Sequence, residues 1–419
     1  MEKQLNMTKS KLKMKILYKS ILFWVGLSVL SCQESKTEPI TYLEAPTSAN
    51  SSEPSLHLSE KGTLYLSWTE TDSLKNTLKF STLTETDTWS KATTIAEGDN
   101  WFVNWADFPS LTTFGDNIAA HYLVKSANDT YTYDVTMKVS NNNGETWNDA
   151  FIPHKDGTNS EHGFVSKVAI NNDVFFGTWL DGRQYAYAEA DSTITKEMTL
   201  RGAMIIDNNA VVEEFLLDDR VCDCCQTDTA MTNDGPIVVY RDRSEDEIRD
   251  IYYVKMKDDT WTDPNPVFND GWRIEGCPVN GPAISANGNQ VAVAWFSAAN
   301  NKSEVKVVFS NDSGNNFSAP IKVDYNRPLG RVDIESIDQE SALVTWLDSK
   351  EEETVILAQK IHSNGTKSLP FVIAKSSESR SSGFPRIVIN EKMLFATWTD
   401  VSSDVSQIRT VKVDLDNIK

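Results

Sequence analysis

The same short pattern occurs seven times along this chain of 419 residues, and this repeat limits the fold more than any other feature. In each copy, a run rich in β-branched and apolar residues ends in a tryptophan or tyrosine and is followed by polar or charged residues. Successive copies are 54, 57, 61, 55, 51 and 52 residues apart. A period of this length, made of strands without helical stretches between them, is typical of a β-propeller. The seven aromatic anchors are Trp68, Tyr122, Trp179, Tyr240, Trp295, Trp346 and Trp398.

The repeat predicts an all-β fold, a seven-bladed β-propeller of four-stranded blades. A single small sheet cannot bury both of its faces, so neighbouring blades must cover it, and closure of the ring removes the exposed ends of the row of blades. The last repeat, residues 384–413, has room for only three strands. We therefore expect residues 40–43 to pair with the C-terminal strands and close the ring.

The first 31 residues are predicted to be a signal peptide. Six lysines precede a short apolar run, ILFWVGLSVL, and small residues come just before Cys32. These are the features of a secretory signal. The cysteine after Leu-Ser resembles a bacterial lipobox, which implies lipid attachment at Cys32; the alternative is an ordinary signal peptide with a chance cysteine. The predicted boundaries are a lipoprotein signal peptide at 1–31, a tether at 32–39 and the propeller domain at 40–419.

The expected location is outside the cytoplasm, with the protein anchored by lipid at the outer membrane or cell surface and the periplasmic side left open as an alternative. The lipid is the only membrane contact expected. Removal of the leader takes away six lysines and one glutamate, which changes the net charge from −20 to −25. This acidity disfavours binding to nucleic acid, which needs a basic surface. We expect a monomer.

Two hairpin sequences occupy the same place in their repeats: SNNNGETW at 140–147 and SNDSGNNF at 310–317. They resemble the Asp-box, S-x-D-x-G-x-[ST]-[WF], of BNR-repeat propellers. Its Asp or Asn caps the turn, and its Gly takes a positive φ. With WLDGR (179–183), RVCDCCQT (220–227), YRDRSEDEIRDI (240–251) and GRVDI (330–334), they resemble the sialidase-like, or exo-α-sialidase, lipoprotein family. Sialidases proper have six blades, so the resemblance implies a fold more than a reaction.

One face of the predicted propeller gathers polar residues. The innermost strand of a blade begins on the face where the second strand ends, and this face usually holds the binding pocket. Five arginines from several blades occupy such positions, and arginine binds carboxylates in a bidentate manner. The resemblance implies a similar use, because sialidases hold a sugar carboxylate with three arginines; the alternative is ion pairing between blades. The predicted substrate-binding residues are Arg183, Arg241, Arg243, Arg331, Arg386, Trp105 and Asn280.

Four residues at this face are candidates for catalysis. His162 is the only histidine predicted there, and an imidazole can act as acid or base near neutral pH. A purely structural role is the alternative for it, and for Tyr240 as one of the seven anchors. The predicted catalytic residues are His162, Asp181, Tyr240 and Asp242.

The run Cys222, Cys224 and Cys225 is followed one repeat later by Cys277. In an oxidising compartment these four cysteines could form disulfides, one of them across the seam between blades four and five. The alternative is a thiolate site for zinc or copper. No other cofactor is expected.

The predicted function is that of a cell-surface, glycan-active enzyme that resembles sialidases, a glycoside hydrolase acting on an acidic sugar at the propeller mouth. Two alternatives stay open. Some seven-bladed propellers are polysaccharide lyases that act on uronate glycans, and the same face could serve a non-catalytic glycan- or protein-binding lipoprotein.

Overall fold

A computed structural model describes residues 40–323, 325–350 and 353–417; the predicted leader, the tether and Cys32 lie outside this range. It confirms the predicted seven-bladed β-propeller. The strands form seven small antiparallel sheets. The innermost strands of neighbouring blades contact each other around the whole ring, including the first and the last blade.

The strands follow the chain in blade order. Strand β1 is Ile40–Leu43. The first blade contains β2 (Ser51–Leu58), β3 (Leu64–Asp72), β4 (Lys75–Thr82) and β5 (Thr93–Gly98). The second contains β6 (Ser110–Phe114), β7 (Asn117–Lys125) and β8 (Tyr133–Ser140). The third contains β9 (His162–Ala169), β10 (Val174–Asp181), β11 (Thr199–Ile206) and β12 (Val211–Asp218).

The remaining blades are built in the same way. The fourth contains β13 (Asp228–Thr232), β14 (Gly235–Arg241), β15 (Ile251–Lys257), β16 (Thr260–Trp261) and β17 (Asn265–Phe268). The fifth contains β18 (Ala283–Asn287), β19 (Gln290–Ser297), β20 (Glu304–Ser310) and β21 (Ile321–Lys322). The sixth contains β22 (Pro328–Ser336), β23 (Ser341–Lys350), β24 (Glu353–His362) and β25 (Phe371–Ser376). The seventh contains β26 (Arg386–Asn390), β27 (Met393–Asp400) and β28 (Gln407–Asp414).

Helical structure is confined to the connections. The α-helix α1 spans Arg183–Ala190, and short 3-10 helices span Ala299–Asn301, Arg380–Ser382 and Leu415–Asn417. Within the described part of the chain, no helix has the length and apolar character needed to cross a membrane.

The N-terminal strand completes the seventh blade, as predicted. Strand β1 pairs antiparallel with β28, from Ile40 opposite Val413 to Leu43 opposite Thr410. The Thr410 hydroxyl also donates to the carbonyl of Leu43 at 2.8 Å. The ring is thus closed by hydrogen bonds between the two ends of the domain, and β1 forms the outermost strand of the seventh blade.

The aromatic anchors are buried where the second strand of each blade ends. Trp68, Trp179 and Trp346 are fully buried. A buried indole N–H needs an acceptor, and in each of these three blades the carboxylate two residues further along supplies it. The distances are 2.9 Å to Glu70, 2.8 Å to Asp181 and 3.2 Å to Asp348. Burial of a large aromatic side chain stabilises each blade by roughly 1.5–3 kcal/mol.

The two matching hairpins have the same hydrogen bonds. The backbone N–H of Gly144 donates to the Ser140 hydroxyl at 2.8 Å, and that of Gly314 donates to the Ser310 hydroxyl at 2.9 Å. Both glycines adopt positive φ, 86° and 77°, which a side chain would oppose.

The second blade departs from the regular pattern in a way that matters for the site. In place of a fourth strand, this blade has an isolated β-bridge between Met137 and Phe151. The chain that follows, residues 152–161, then brings His154, Asp156 and Glu161 to the start of β9.

Candidate active site

One face of the propeller collects the polar residues that begin the innermost strands and end the second strands. His162 opens β9 and lies opposite Asp181, the last residue of β10. We call this side the upper face. The sequence analysis placed the start of the innermost strand and the end of the second strand on one face, and the register of the third blade agrees with this.

Residues from non-adjacent blades meet over the centre of the upper face. Trp105, before the second blade, stacks on Phe384, before the seventh, with ring centroids 5.8 Å apart. The Gln226 side chain, before the fourth blade, donates to the carbonyl of Ala106 at 2.5 Å and accepts from the N–H of Gly281 at 3.0 Å. Contacts between such distant blades must cross the ring, so these residues form a plug at the mouth of the central channel.

Below the plug lies a polar central cavity of about 360 Å³. Arg386 lines it and lies 3.3 Å from the Asp333 carboxylate. Burial acts to lower the pKa of Arg386, but Asp333 and Asp228 outweigh it, so its pKa is raised. The guanidinium is thus held by carboxylates inside the channel.

Arg241 and Arg331 are engaged by backbone carbonyls. Arg241 is buried and donates to the carbonyls of Asn280, Arg249 and Phe296 at 2.5–3.1 Å. Arg331 lies 4.9 Å from the centre of the Trp105 ring. It also donates to the Ser382 hydroxyl and to three carbonyls of the 378–383 segment. Both guanidinium groups hold loops together across blade seams.

Asn280 links these two arginines. Its carbonyl accepts from Arg241 at 2.7 Å, and its side-chain oxygen accepts from the backbone N–H of Arg331 at 2.8 Å. A β-carbon at Gly330 would collide with that side-chain oxygen. The close approach explains why glycine, at a φ of 86°, stands at this position.

Arg183 and Asp181 form a bidentate pair. The Arg183 Nε and Nη2 atoms each lie 2.7 Å from an Asp181 oxygen, and Nη1 lies 2.8 Å from Glu214. Asp181 also accepts the Trp179 indole N–H and is fully buried. The pKa of Asp181 is lowered: burial opposes this, and Arg183 and His162 outweigh burial.

His162 is fully buried against His154, with ring centroids 3.8 Å apart and planes 9° from parallel. Asp134 lies 3.4 Å from Nδ1, and Asp156 lies 3.3 Å from Nε2. Burial lowers the pKa of His162, but the two carboxylates outweigh it and raise the pKa to about 9. The imidazolium therefore joins blades two and three, and its ring does not reach solvent.

We expect replacement of His162 by glutamine to lower the free energy of unfolding by roughly 2–4 kcal/mol, because Asp134 and Asp156 then lose their shared cation. A raised pKa in the folded state stabilises fully below pH 6.5 and ceases to do so as the pH rises through about 9. Urea unfolding of both proteins should therefore show a difference in stability that shrinks as the pH rises from about 6.5 to about 9. The partly exposed His362 provides the control. An unfolding difference that does not change with pH would contradict this role.

Tyr240 and Asp242 lie at the end of the fourth blade's second strand. Tyr240 is fully buried, and its hydroxyl donates to Asp218 at 2.6 Å. Asp242 is only partly buried. Burial and the neighbouring Asp218 raise the pKa of Asp242 to about 7. Of the four predicted catalytic residues, Asp242 alone keeps a partly exposed side chain.

Glu161, the neighbour of His162, is a titratable side chain at the upper face of the third blade. The Tyr133 hydroxyl donates to it at 2.7 Å. Burial raises the pKa of Glu161 to about 8, against the effect of Tyr133, with further contributions from Asp107 and Asp223. Glu161 remains partly exposed, and at neutral pH its carboxyl group is protonated.

The backbone holds Glu161 in place. Its carbonyl accepts from the N–H of Gly182 at 2.8 Å, and the chain forms a bridge with Tyr133. The Tyr133 ring is buried and stacks on Phe102 at 3.9 Å. A rigid tyrosine therefore positions the carboxyl group, as a site for proton transfer requires.

Tyr185, Asp223 and Arg243 extend the group around Glu161. Burial and the charge of Asp223 raise the pKa of Tyr185 to about 12, while Arg243 acts to lower it. Arg243 is paired with Glu247 at 2.7 Å, and its side chain is 20% exposed. We call Glu161, Tyr185, Asp223 and Arg243 the upper-face cluster. The five predicted arginines are thus divided, and Arg243 is the member that belongs to this cluster.

An open groove of about 760 Å³ lies over the third and fourth blades, close to Arg243. Helix α1 supplies Gln184 and Tyr187, and the facing loops supply Glu197, Arg220 and Glu245. The volume suits a small ligand such as a short glycan. Carboxylates, tyrosines and arginines of this kind offer hydrogen bonds to hydroxyl and carboxylate groups.

The four cysteines lie at the starts of blades four and five, as expected from the repeat. None of these described cysteines forms a disulfide. Cys222 and Cys225 are buried, Cys224 is partly buried and Cys277 is exposed.

The comparisons with known proteins extend the fold assignment. No family model matches the chain, and no curated protein matches it. An ulvan lyase of a new polysaccharide lyase family is similar in structure, with 12% identity and a TM-score of 0.57 over 89% of this chain and 96% of that one.

Two further structures cover most of the chain. A protein of unknown function from Dyadobacter fermentans has 11% identity and a TM-score of 0.51 over 91% of this chain and 98% of that one. The NanB sialidase from Streptococcus pneumoniae has 8% identity and a TM-score of 0.46 over 91% and 95%. At such identities, the two structures with TM-scores above 0.5 show the propeller fold alone.

Proposed function

We propose that the protein is a carbohydrate-active propeller that hydrolyses an acidic glycan at its upper face. The observation that carries this proposal is Glu161, a partly exposed carboxyl group held by Tyr133 with its pKa raised to about 8. A glycosidase needs a carboxylic acid that is still protonated at working pH to protonate the leaving oxygen. Glu161 is the general acid in this proposal. The neighbouring Asp223 provides the second carboxyl group that glycosidases use.

Arg243 binds the acidic group of the glycan in this proposal. Its present partner, Glu247, lies four residues away on a partly exposed loop. The guanidinium contacts both oxygens of Glu247, and a ligand carboxylate at this place would compete with Glu247 for Arg243. Tyr185, which keeps its proton, donates a hydrogen bond to the sugar.

A lyase is the second candidate. Tyr185 beside Arg243 places a phenol next to a group that neutralises a uronate carboxylate. The raised pKa of Tyr185, about 12, keeps the phenol protonated at neutral pH and leaves little phenolate to act as the base, and for that reason we favour the hydrolase.

We expect Arg243→Ala to weaken binding of an acidic glycan about 10- to 150-fold, because a charge-assisted contact is worth roughly 1.5–3 kcal/mol. Calorimetric titration with a sialoside and a uronate polysaccharide, beside a neutral arabinan, measures the effect. Arg273→Ala is the matched control, since Arg273 is 67% exposed and pairs with Glu275. Equal affinity of the Arg243 variant and the parent would contradict the assignment of Arg243.

A further inference from the structure

Three thiols lie together just before the fourth blade. The Cys222 sulfur is 3.7 Å from the Cys224 sulfur and 3.6 Å from the Cys225 sulfur. All three sulfur atoms lie within 4.8 Å of one another. Since Cys222 and Cys225 are buried, the chain turns their side chains inward within four residues.

These separations suit a metal better than a covalent bond. A disulfide has an S–S distance of about 2.05 Å. Tetrahedral zinc with Zn–S bonds of about 2.3 Å has sulfur atoms about 3.8 Å apart, which is the edge of the tetrahedron. The distances of 3.6 and 3.7 Å match that edge.

Cys277 supplies a fourth thiol from the next blade. Its sulfur lies with the Cys224 sulfur and an Asp223 oxygen in a second group whose atoms are within 4.8 Å of one another. The Cys277 side chain is exposed, and it approaches the cluster from the side of Cys224.

A buried arginine beside the sulfur atoms would compensate the negative charge of the thiolates. Arg249 is buried and donates to the Cys222 sulfur at 3.2 Å. Four thiolates on Zn²⁺ would carry a net charge of about −2, and a cation beside a ligand sulfur stabilises such a site. Arg249 is itself oriented by Glu247 at 2.8 Å.

We propose that Cys222, Cys224, Cys225 and Cys277 bind a structural Zn²⁺ that joins the fourth and fifth blades. Soft thiolate ligands in a tetrahedral arrangement favour zinc, with copper(I) as the main competitor. The four ligands leave no open position, so the metal holds the two loops together and takes no substrate. This inference does not rest on the proposed glycan activity.

The test is metal analysis of the full chain purified without chelators. We expect about one zinc per chain, and replacement by cobalt(II) should give the intense sulfur-to-cobalt charge-transfer bands of a tetrahedral thiolate site. The four thiols should become reactive after a chelator is added to the unfolded protein, without any reductant.

Variants locate the site. Cys222→Ser and Cys225→Ser should lose the zinc, whereas Glu161→Gln should retain it, which separates this proposal from the proposed function. If the cysteine variants fail to fold, the zinc content and the cobalt spectrum of the parent protein still test whether the four cysteines bind a metal. Thiols that react only after reduction would show disulfides and overturn the proposal; so would four reactive thiols without metal, or copper in place of zinc.

Discussion

Replacement of Glu161 by glutamine is expected to lower the turnover of an acidic glycan about 10²- to 10⁴-fold, the usual contribution of a general acid. The amide keeps the size of the side chain and a hydrogen bond with Tyr133, so the fold should persist. In the parent, activity should decline as the pH rises through about 8, because Glu161 then loses its proton. Steady-state kinetics across pH measure both effects, and the variant should lack this alkaline limb.

Glu335→Gln is the matched control for this experiment. Burial also raises the pKa of Glu335 to about 8. Its carboxyl group, however, accepts a hydrogen bond from the Ser285 hydroxyl and lines the central cavity, below the plug. The Glu335 variant should keep its turnover. If Glu161→Gln were as active as the parent, Glu161 would not be the acid.

Replacement of Arg241 by alanine is expected to cost roughly 3–5 kcal/mol of folding free energy, because three buried carbonyls would lose a charged donor. These carbonyls belong to Asn280, Arg249 and Phe296, on both sides of the seam between blades four and five. The variant would also lose the stacking of the guanidinium on Trp272, at 4.8 Å. Denaturant unfolding measures the difference.

The exposed Arg273→Ala should change stability by less than about 0.5 kcal/mol and provides the control. Unchanged stability together with weaker glycan binding would return Arg241 to the substrate-binding residues that its place in the sequence predicts.

The fold was predictable because a propeller repeats its constraints. Each blade must bury an aromatic residue at the end of its second strand, so Trp179 and Trp346 recur at a nearly constant spacing and in the same buried place. Closure of the ring was predictable for a related reason, because a last repeat with three strands needs a partner such as Ile40–Leu43.

The structural role of Asp181 could have been predicted from the repeat. Trp68, Trp179 and Trp346 each have an acidic residue two positions later that accepts the indole N–H. A carboxylate that recurs in several blades at the same offset serves the repeat. That regularity indicates a structural role for Asp181, in addition to its pair with Arg183.

The sequence did not single out Glu161, the acid of the proposed function, because residue type and position point to its neighbour, His162. His162 titrates near neutral pH in water, and an ordinary glutamate does not. Their surroundings reverse the two: carboxylates around His162 outweigh burial and keep it charged, while burial keeps the proton on Glu161. Such shifts depend on burial and charges that come from other blades, such as those of Asp107 and Asp223 around Glu161, which local sequence does not reveal.

The most direct test of the account is incubation of the parent protein with sialosides and uronate polysaccharides, followed by measurement of both new reducing ends and the ultraviolet absorbance of unsaturated products. We predict new reducing ends from an acidic glycan without unsaturated products, and far fewer of them with Glu161→Gln. Unsaturated products would identify a lyase and contradict the hydrolase. Binding without cleavage would indicate a glycan-binding propeller, and neither binding nor cleavage would contradict the central claim.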